Sequence, residues 1–248
     1  MLKHIFFDLD GTLTRSHSLI QPAHVPLLQR LGKQKDVIVV TGGTYPDIRR
    51  QLTPALDGQY FSLAQSGGHA LDKNGDEIWR VEITKEQTNP ILLLIEKMKR
   101  GFNIKVRDEN DCVEQRGSQV SYSVLGYHED VNKKYAFDPT FEKRKEMLSR
   151  FPEELARLRS LGIEAAVGGT TTFNFTLIGQ DKGSNVQRLT EREVWNKSEC
   201  LYVGDALNPG ENDYAVVGII DTKAVKDENE TFAWIEKLLS AEKSNVVD

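Results

Sequence analysis

The sequence predicts an α/β fold: a doubly wound parallel sheet interrupted by an inserted α+β unit. Two observations predict the sheet. Short, fully apolar runs end in Asp, Thr or Gly, as strands buried on both faces do, and helical patterns separate several of them. A third predicts the insertion. In the middle of the chain the pattern changes to alternating polar and apolar residues flanking a long charged helical region, the signature of an antiparallel sheet with one wet face.

The first run, Ile5–Leu9, carries Asp8 and Asp10 at its end, and Gly11 lets the chain leave sharply. Residues i and i+2 of a strand face the same way, so the two carboxylates start aligned and diverge at the turn. Acids this close repel unless a cation or a proton is shared. The pair suits an aspartate nucleophile with an acid/base partner and a Mg²⁺ ion between protein and phosphate. It also suits a plain strand ending in an Asp-Gly turn. Pro22–Leu31 then reads as a helix, Val37–Val40 as the second strand, and Tyr45–Leu52 as a helix capped by Thr44. Phe61–Ala64 is the third strand, and Lys73-Asn74-Gly75-Asp76 a hairpin turn.

Asn89-Pro90 marks a helix start, with Ile91–Lys99 following. Gln119–Leu125 and Thr172–Leu177 alternate as strands, and between them Pro152 divides a charged helical region, Thr140–Leu161. The domains are therefore expected at 1–83, 84–178 and 179–248, the first and last forming one parallel-sheet body and the middle an α+β insertion. Its hinges are expected near Val81–Thr84 and Ile178–Gln180. Leu201–Val203 and Val216–Ile220 read as the last strands, and Glu228–Ala241 as an amphipathic helix.

Composition sets bounds. A chain of 248 residues with 28% charged residues is that of an ordinary globular protein, and a net charge of −5 argues against a nucleic-acid partner. The longest apolar run, Ile91–Ile95, is too short to cross a bilayer. Cys112 and Cys200 have no metal-ligand spacing and read as free thiols of a reducing cytosol, and no signal peptide precedes the first strand. A cytoplasmic location is expected.

Four segments in order resemble the motifs of the haloacid dehalogenase superfamily. They are Asp8-Leu9-Asp10-Gly11-Thr12, the strand ending in Thr41-Gly42-Gly43, Asp181-Lys182-Gly183, and Gly204-Asp205 through Asn212-Asp213. An insertion between the second and third motifs is similar to the type IIB cap of that superfamily. Within that branch the chain resembles eukaryotic-type phosphomannomutases and Cof-type sugar phosphatases. Thr41-Gly42-Gly43-Thr44-Tyr45-Pro46-Asp47-Ile48 resembles the mutases' GGS segment, and Gly168-Gly169-Thr170-Thr171-Thr172-Phe173-Asn174 their GGxxSFD strand. Gly204 through Asp213 resembles their GDxxxPGGND loop.

The resemblance implies roles. Asp8 would be the nucleophile and Asp10 the acid/base. Asp8, the Asp10 carbonyl and Asp205 would hold Mg²⁺, and Lys182 would pair with Asp8 and phosphate. The Thr41 hydroxyl and backbone amides around Leu9, Asp10 and Gly42 would hold phosphate oxygens, with Gly43 lining the same turn. Asp213 could be a metal ligand, a partner that orients Lys182 together with neighbouring Asn212, or a helix cap; the second is favoured. Relatives with this insertion can pair through it, so the resemblance allows a homodimer.

The insertion departs from the mutase pattern. Arg116 matches one family arginine, but Tyr127 stands where a Gly-Arg pair is expected, Lys134 where another arginine falls, and Thr172 and Asn174 where Ser and Asp are expected. After the first motif the family has an arginine where His17 falls here, although Arg15 lies close by. Loss of bidentate guanidinium groups weakens the grip on a second phosphate. The expected activity is therefore hydrolysis of a small phosphorylated metabolite, such as a sugar phosphate, with Arg116, Tyr127, Lys134, Thr172 and Asn174 contacting substrate. A phosphohexomutase is the alternative, and a non-catalytic binding module, which should have lost Asp10 or Asp205, is the third.

Overall fold

The computed structural model describes residues 2–244, which divide into two compact units. The first comprises the chain up to Arg80 and from Gln180 onward; the second is Val81–Gly179.

In the first unit, β1 (His4–Asp8), β2 (Asp36–Val40), β3 (Tyr60–Ala64), β10 (Cys200–Gly204) and β11 (Asp221–Ala224) are parallel. The hairpin β4 (His69–Leu71) and β5 (Glu77–Arg80) adds two antiparallel strands, giving the order β11-β10-β1-β2-β3-β4-β5. All five residues of β1 are buried, because the strand lies centrally with both faces covered. Ile5, Phe7, Val37 and Val39 face a core shared with α1 (Val25–Gly32), α2 (Tyr45–Leu52) and α8 (Glu228–Ser244). Each such side chain withdrawn from water contributes about 1.5–3 kcal/mol. Thr44 caps α2 through a capping box with Asp47, as the sequence predicts.

The second unit is a four-stranded antiparallel sheet in the order β6-β7-β9-β8, made of β6 (Val113–Gln115), β7 (Gln119–Ser123), β8 (Ile163–Gly168) and β9 (Thr172–Leu177). Val120, Tyr122, Phe173 and Phe175 on one face pack with Ile91, Leu94, Ile95 and Met98 of α3 (Lys85–Phe102). The remaining helices are α4 (Val131–Phe137), α5 (Glu142–Ser149), α6 (Pro152–Ser160) and, in the first unit, α7 (Lys182–Arg192). None of the described helices is long and apolar enough to cross a membrane.

Three expectations are corrected. The helix placed at Asn89-Pro90 starts at Lys85, because Thr84 and Gln87 form a capping box upstream; Pro90 lies inside it, where its missing N–H costs one ladder bond. Helix α1 starts at Val25 rather than Pro22. The run Val216–Ile220 is not a strand. Tyr214–Val216 forms a 3₁₀ turn, Ile219 N–H donates to Val216 O at 3.0 Å, and Gly218 has a φ of 88° that breaks extension. The last strand is instead the polar Asp221–Ala224 at the sheet edge, where alternation with buried apolar residues is not required.

Candidate active site

The strand order β10-β1-β2 places the carboxyl ends of three parallel strands side by side in the first unit. Asp8 is the last residue of β1, Thr41 follows β2, and Asp205 follows β10. In an open α/β sheet this is where ligands bind. Asp8 is 4% exposed and Asp213 fully buried. Asp213 is returned to the site by the loop after β10, where its N–H donates to Ala206 O at 2.9 Å.

Lys182, the first residue of α7, is fixed by a capping box between Asp181 and Ser184. Its ammonium donates to Asp8 Oδ1 at 2.5 Å and to Asp213 Oδ1 at 2.6 Å, and the Tyr202 hydroxyl donates to the same Asp213 oxygen at 2.8 Å. Asp8 and Asp213 thus share the Lys182 ammonium. The Thr12 hydroxyl donates to Asp205 Oδ1 at 3.3 Å. Two glycines make room. A Cβ on Gly11, whose φ of 91° favours glycine anyway, would lie 2.5 Å from Asp205 Oδ2; one on Gly204 would overlap Asp213 Oδ2.

The charge does not balance among the residues present. Asp8, Asp205 and Asp213 can bring one oxygen each within 4.8 Å of the others, and Lys182 supplies one positive charge among them. Asp213 Oδ2 is buried with no hydrogen-bond partner. Burial, and then the neighbouring Asp213 and Asp205, push the Asp8 carboxyl well above the carboxylate range, although Lys182 pulls the other way. Asp205 is open to solvent at its rim, yet withdrawal of its carboxyl from water, and then Asp213, push it up to about 6. Burial alone would lower Lys182, but Asp213 and Asp8 outweigh it and hold the ammonium above the ordinary lysine range. An orphaned carboxylate oxygen in a set of hard oxygen donors fits a divalent cation such as Mg²⁺.

The other residues singled out from the sequence take definite places. The Thr41 hydroxyl oxygen accepts from Gly43 N–H at 3.1 Å, and Gly43 O accepts from Gln65 N–H at 2.7 Å, so the Thr41-Gly42-Gly43 turn is tied down. Asp10 is half-buried and its Oδ1 accepts from His17 N–H at 2.6 Å. Asn212 is exposed beside the buried Asp213.

In the second unit, Arg116 Nε donates to Glu114 Oε2 at 2.7 Å, and its guanidinium lies 5.5 Å from the Tyr127 ring centroid. Lys134 is buried, with its ammonium donating to Tyr127 O at 2.9 Å. Asn174 Oδ1 accepts from Ser121 Oγ at 2.7 Å and Gln119 Nε2 at 3.0 Å; the Thr172 hydroxyl donates to Gly168 O at 2.6 Å. The unit thus gathers Arg116, Tyr127 and Lys134 in one group, and Thr172 with Asn174 on β9.

Sequence reasoning missed Tyr202 and Thr12. Both had signals: Thr12 closes the first motif, and Tyr202 shares a strand face with Gly204.

Comparison with known proteins follows the same lines. Residues 5–216 match the family model described as haloacid dehalogenase-like hydrolase. Phosphomannomutase 1 of Dictyostelium discoideum is 26% identical over 218 residues, covering 85% of this chain and 84% of the relative. The phosphomannomutase of Spinacia oleracea is 26% identical over 222 residues, covering 85% and 84%. Among solved structures, an IMP-bound IMP-nucleotidase of Plasmodium falciparum superposes with a TM-score of 0.68 at 13% identity, covering 96% of this chain and 68% of that one. That likeness speaks for the fold alone. With the family model matching most of its length and the motif residues meeting at the carboxyl ends of adjacent strands, the chain belongs to the haloacid dehalogenase-like hydrolase family of enzymes.

Proposed function

We propose that the chain is a Mg²⁺-dependent phosphatase of the cytoplasm, acting on a small phosphorylated metabolite, a sugar phosphate in particular, through an aspartyl-phosphate. The observation that carries this reading is the buried Asp8 held by Lys182 at 2.5 Å, beside Asp205 and the orphaned oxygen of Asp213.

Asp8 attacks phosphorus, the bond to the leaving oxygen breaks, and Asp10 gives that oxygen a proton. A water molecule then gives its proton to Asp10 and attacks the phospho-Asp8; the Asp8–phosphorus bond breaks and inorganic phosphate leaves. Lys182 offsets charge on Asp8 and the phosphoryl oxygens. Thr41, its oxygen fixed by Gly43 N–H, directs its hydroxyl proton to one of them. Asp8, Asp205, the Asp10 carbonyl and, through its second oxygen, Asp213 would hold Mg²⁺, which would neutralise phosphate charge.

The purified protein, given Mg²⁺ and a panel of phosphorylated metabolites including hexose 1- and 6-phosphates, should release inorganic phosphate. Parallel reactions contain glucose 1,6-bisphosphate. Conversion between hexose phosphates that depends on the bisphosphate, without net phosphate, would overturn the phosphatase reading in favour of a phosphohexomutase. That second reading has the phosphomannomutase relatives on its side. Against it, the Arg116 guanidinium is paired with Glu114 and the Lys134 ammonium holds a backbone carbonyl, and neither arrangement favours a second phosphate.

The metal assignment makes a prediction with a sign. Ligand carboxyls must be ionised to bind a cation. Without metal, Asp205 carries more protons in the native than in the unfolded chain between the ordinary 3.8 and about 6. Its contribution to stability therefore declines as pH rises through that window. Mg²⁺ competes with those protons. Saturating Mg²⁺ should raise Tm by several degrees at pH 7.5, on the order of 2–3 kcal/mol of linkage, and far less at pH 5. Equal shifts at the two pH values in differential scanning calorimetry would remove Asp205 from the ligand set.

A further inference from the structure

The first unit holds a buried amide that the mechanism above does not use. Gln51, on the last turn of α2, is 1% exposed. Its side-chain amide faces Asp10 Oδ1 at 3.2 Å, Ser18 O at 3.1 Å and Thr14 Oγ1 at 3.0 Å. The first two can only accept, so the nitrogen of the amide, not its oxygen, must face this set. The two hydrogens of the amide serve Asp10 Oδ1 and Ser18 O, and the Thr14 hydroxyl, which donates to Leu9 O at 3.3 Å, lies alongside.

Around it the segment after the first motif is strapped to the same end of α2. Ile20 N–H donates to Gln51 O at 2.7 Å, and Arg50 Nη1 donates to His17 O at 3.3 Å. His17 itself has a φ of 54°, a left-handed conformation that strains a non-glycine residue. That backbone aims its N–H at Asp10 Oδ1, 2.6 Å away. The strain is offset only if the bond it makes is worth holding.

We infer that Gln51 is a positioning residue for Asp10. Together with His17 N–H it occupies Asp10 Oδ1 with two donors, fixes the rotation of the carboxyl group, and leaves Oδ2 as the oxygen presented to the leaving group and to water. The inference rests on the phosphatase reading and deepens it. Two donors on one oxygen of a carboxyl leave the other oxygen to exchange the proton, so rotation of the group by half a turn would present the wrong atom. The role is distinct from nucleophile placement, because Gln51 touches neither Asp8 nor Lys182 among the described contacts.

Leaving-group dependence tests this. Proton donation by Asp10 matters for an alkoxide leaving group and little for nitrophenolate, which departs unprotonated. Gln51→Met keeps volume and removes the donor. Gln51→Glu also removes it, while keeping an oxygen that the Thr14 hydroxyl can reach. Both are compared with the unaltered enzyme on glucose 6-phosphate and on p-nitrophenyl phosphate, with circular dichroism confirming the fold of each. For a variant that folds, kcat on the hexose phosphate should fall about 10–100-fold and kcat on p-nitrophenyl phosphate by less than about 3-fold, with both KM values little changed. Equal losses on the two substrates, or none on either, would overturn the positioning role while leaving the phosphatase reading intact. An unaltered enzyme that releases phosphate neither from p-nitrophenyl phosphate nor from any metabolite of the panel would overturn both.

Discussion

Asp8→Asn is expected to abolish turnover, by at least about 10⁴-fold, in a protein that melts no lower than the original. The two halves of that result have different causes. An amide nitrogen and carbonyl cannot form a stable phosphoryl ester, so the first chemical step is lost outright. The fold is spared because the charge Asp8 carries is one the protein resists: burial, then Asp213 and Asp205, push its carboxyl well above the carboxylate range. An Asn of the same shape still offers an oxygen to Lys182, whose other partner, Asp213, is untouched. In metal-free buffer, Tm should be equal or higher. Phosphate release and thermal denaturation measured on one preparation decide both points. Retained activity would sink the assignment of Asp8, and a large loss of Tm would show that the Asp8–Lys182 pair holds the fold together more than it strains it.

Such a burden of like charge is what made the site legible in the sequence. Strands of five residues buried on both faces tolerate no polar residue without a reason, so Asp8 at the end of β1 and Asp205 beyond β10 stood out. The parallel register, with Phe7 opposite Val203 and Asp8 opposite Val40, then brings those ends together with no further information. Less could be read where the determining contact is distant in sequence. Gln51 meets Asp10 only because α2 packs back across the first turn, and Tyr202 matters only because the loop after β10 folds Asp213 beneath it. The Val216–Ile220 run misled because apolar composition reports burial, not extension. Two of its residues are buried from a turn, and Val217 is 44% exposed. In the second unit, Arg144 escaped notice as one cation in a charged helix. It is fully buried, donates to Asp138 and to Gly168 O at 2.6 Å, and so anchors the turn that leads into Thr172.

Lys182→Met should be damaging to stability as well as to catalysis. A buried ion pair is often worth little against an apolar replacement of both partners, but removal of one partner strands the other. Here the removed ammonium leaves two buried carboxylates, Asp8 and Asp213, with the Tyr202 hydroxyl still donating to the second. Without metal the expected loss is about 3–5 kcal/mol, a fall in Tm of roughly 10 °C. The activity should fall at least about 10³-fold, since no fixed positive charge would then meet the phosphoryl oxygens. Adding Asp213→Asn separates the two effects. Asn keeps an acceptor for Tyr202 and removes one stranded charge, so the double variant should recover part of the lost Tm. Its activity should stay at the level of the single variant, because Asn at position 213 restores no positive charge facing the phosphoryl oxygens. A single variant with unchanged Tm would mean that Lys182 balances no charge in the metal-free protein. A double variant that regained activity would mean that Asp213, rather than Lys182, governs the charge at Asp8.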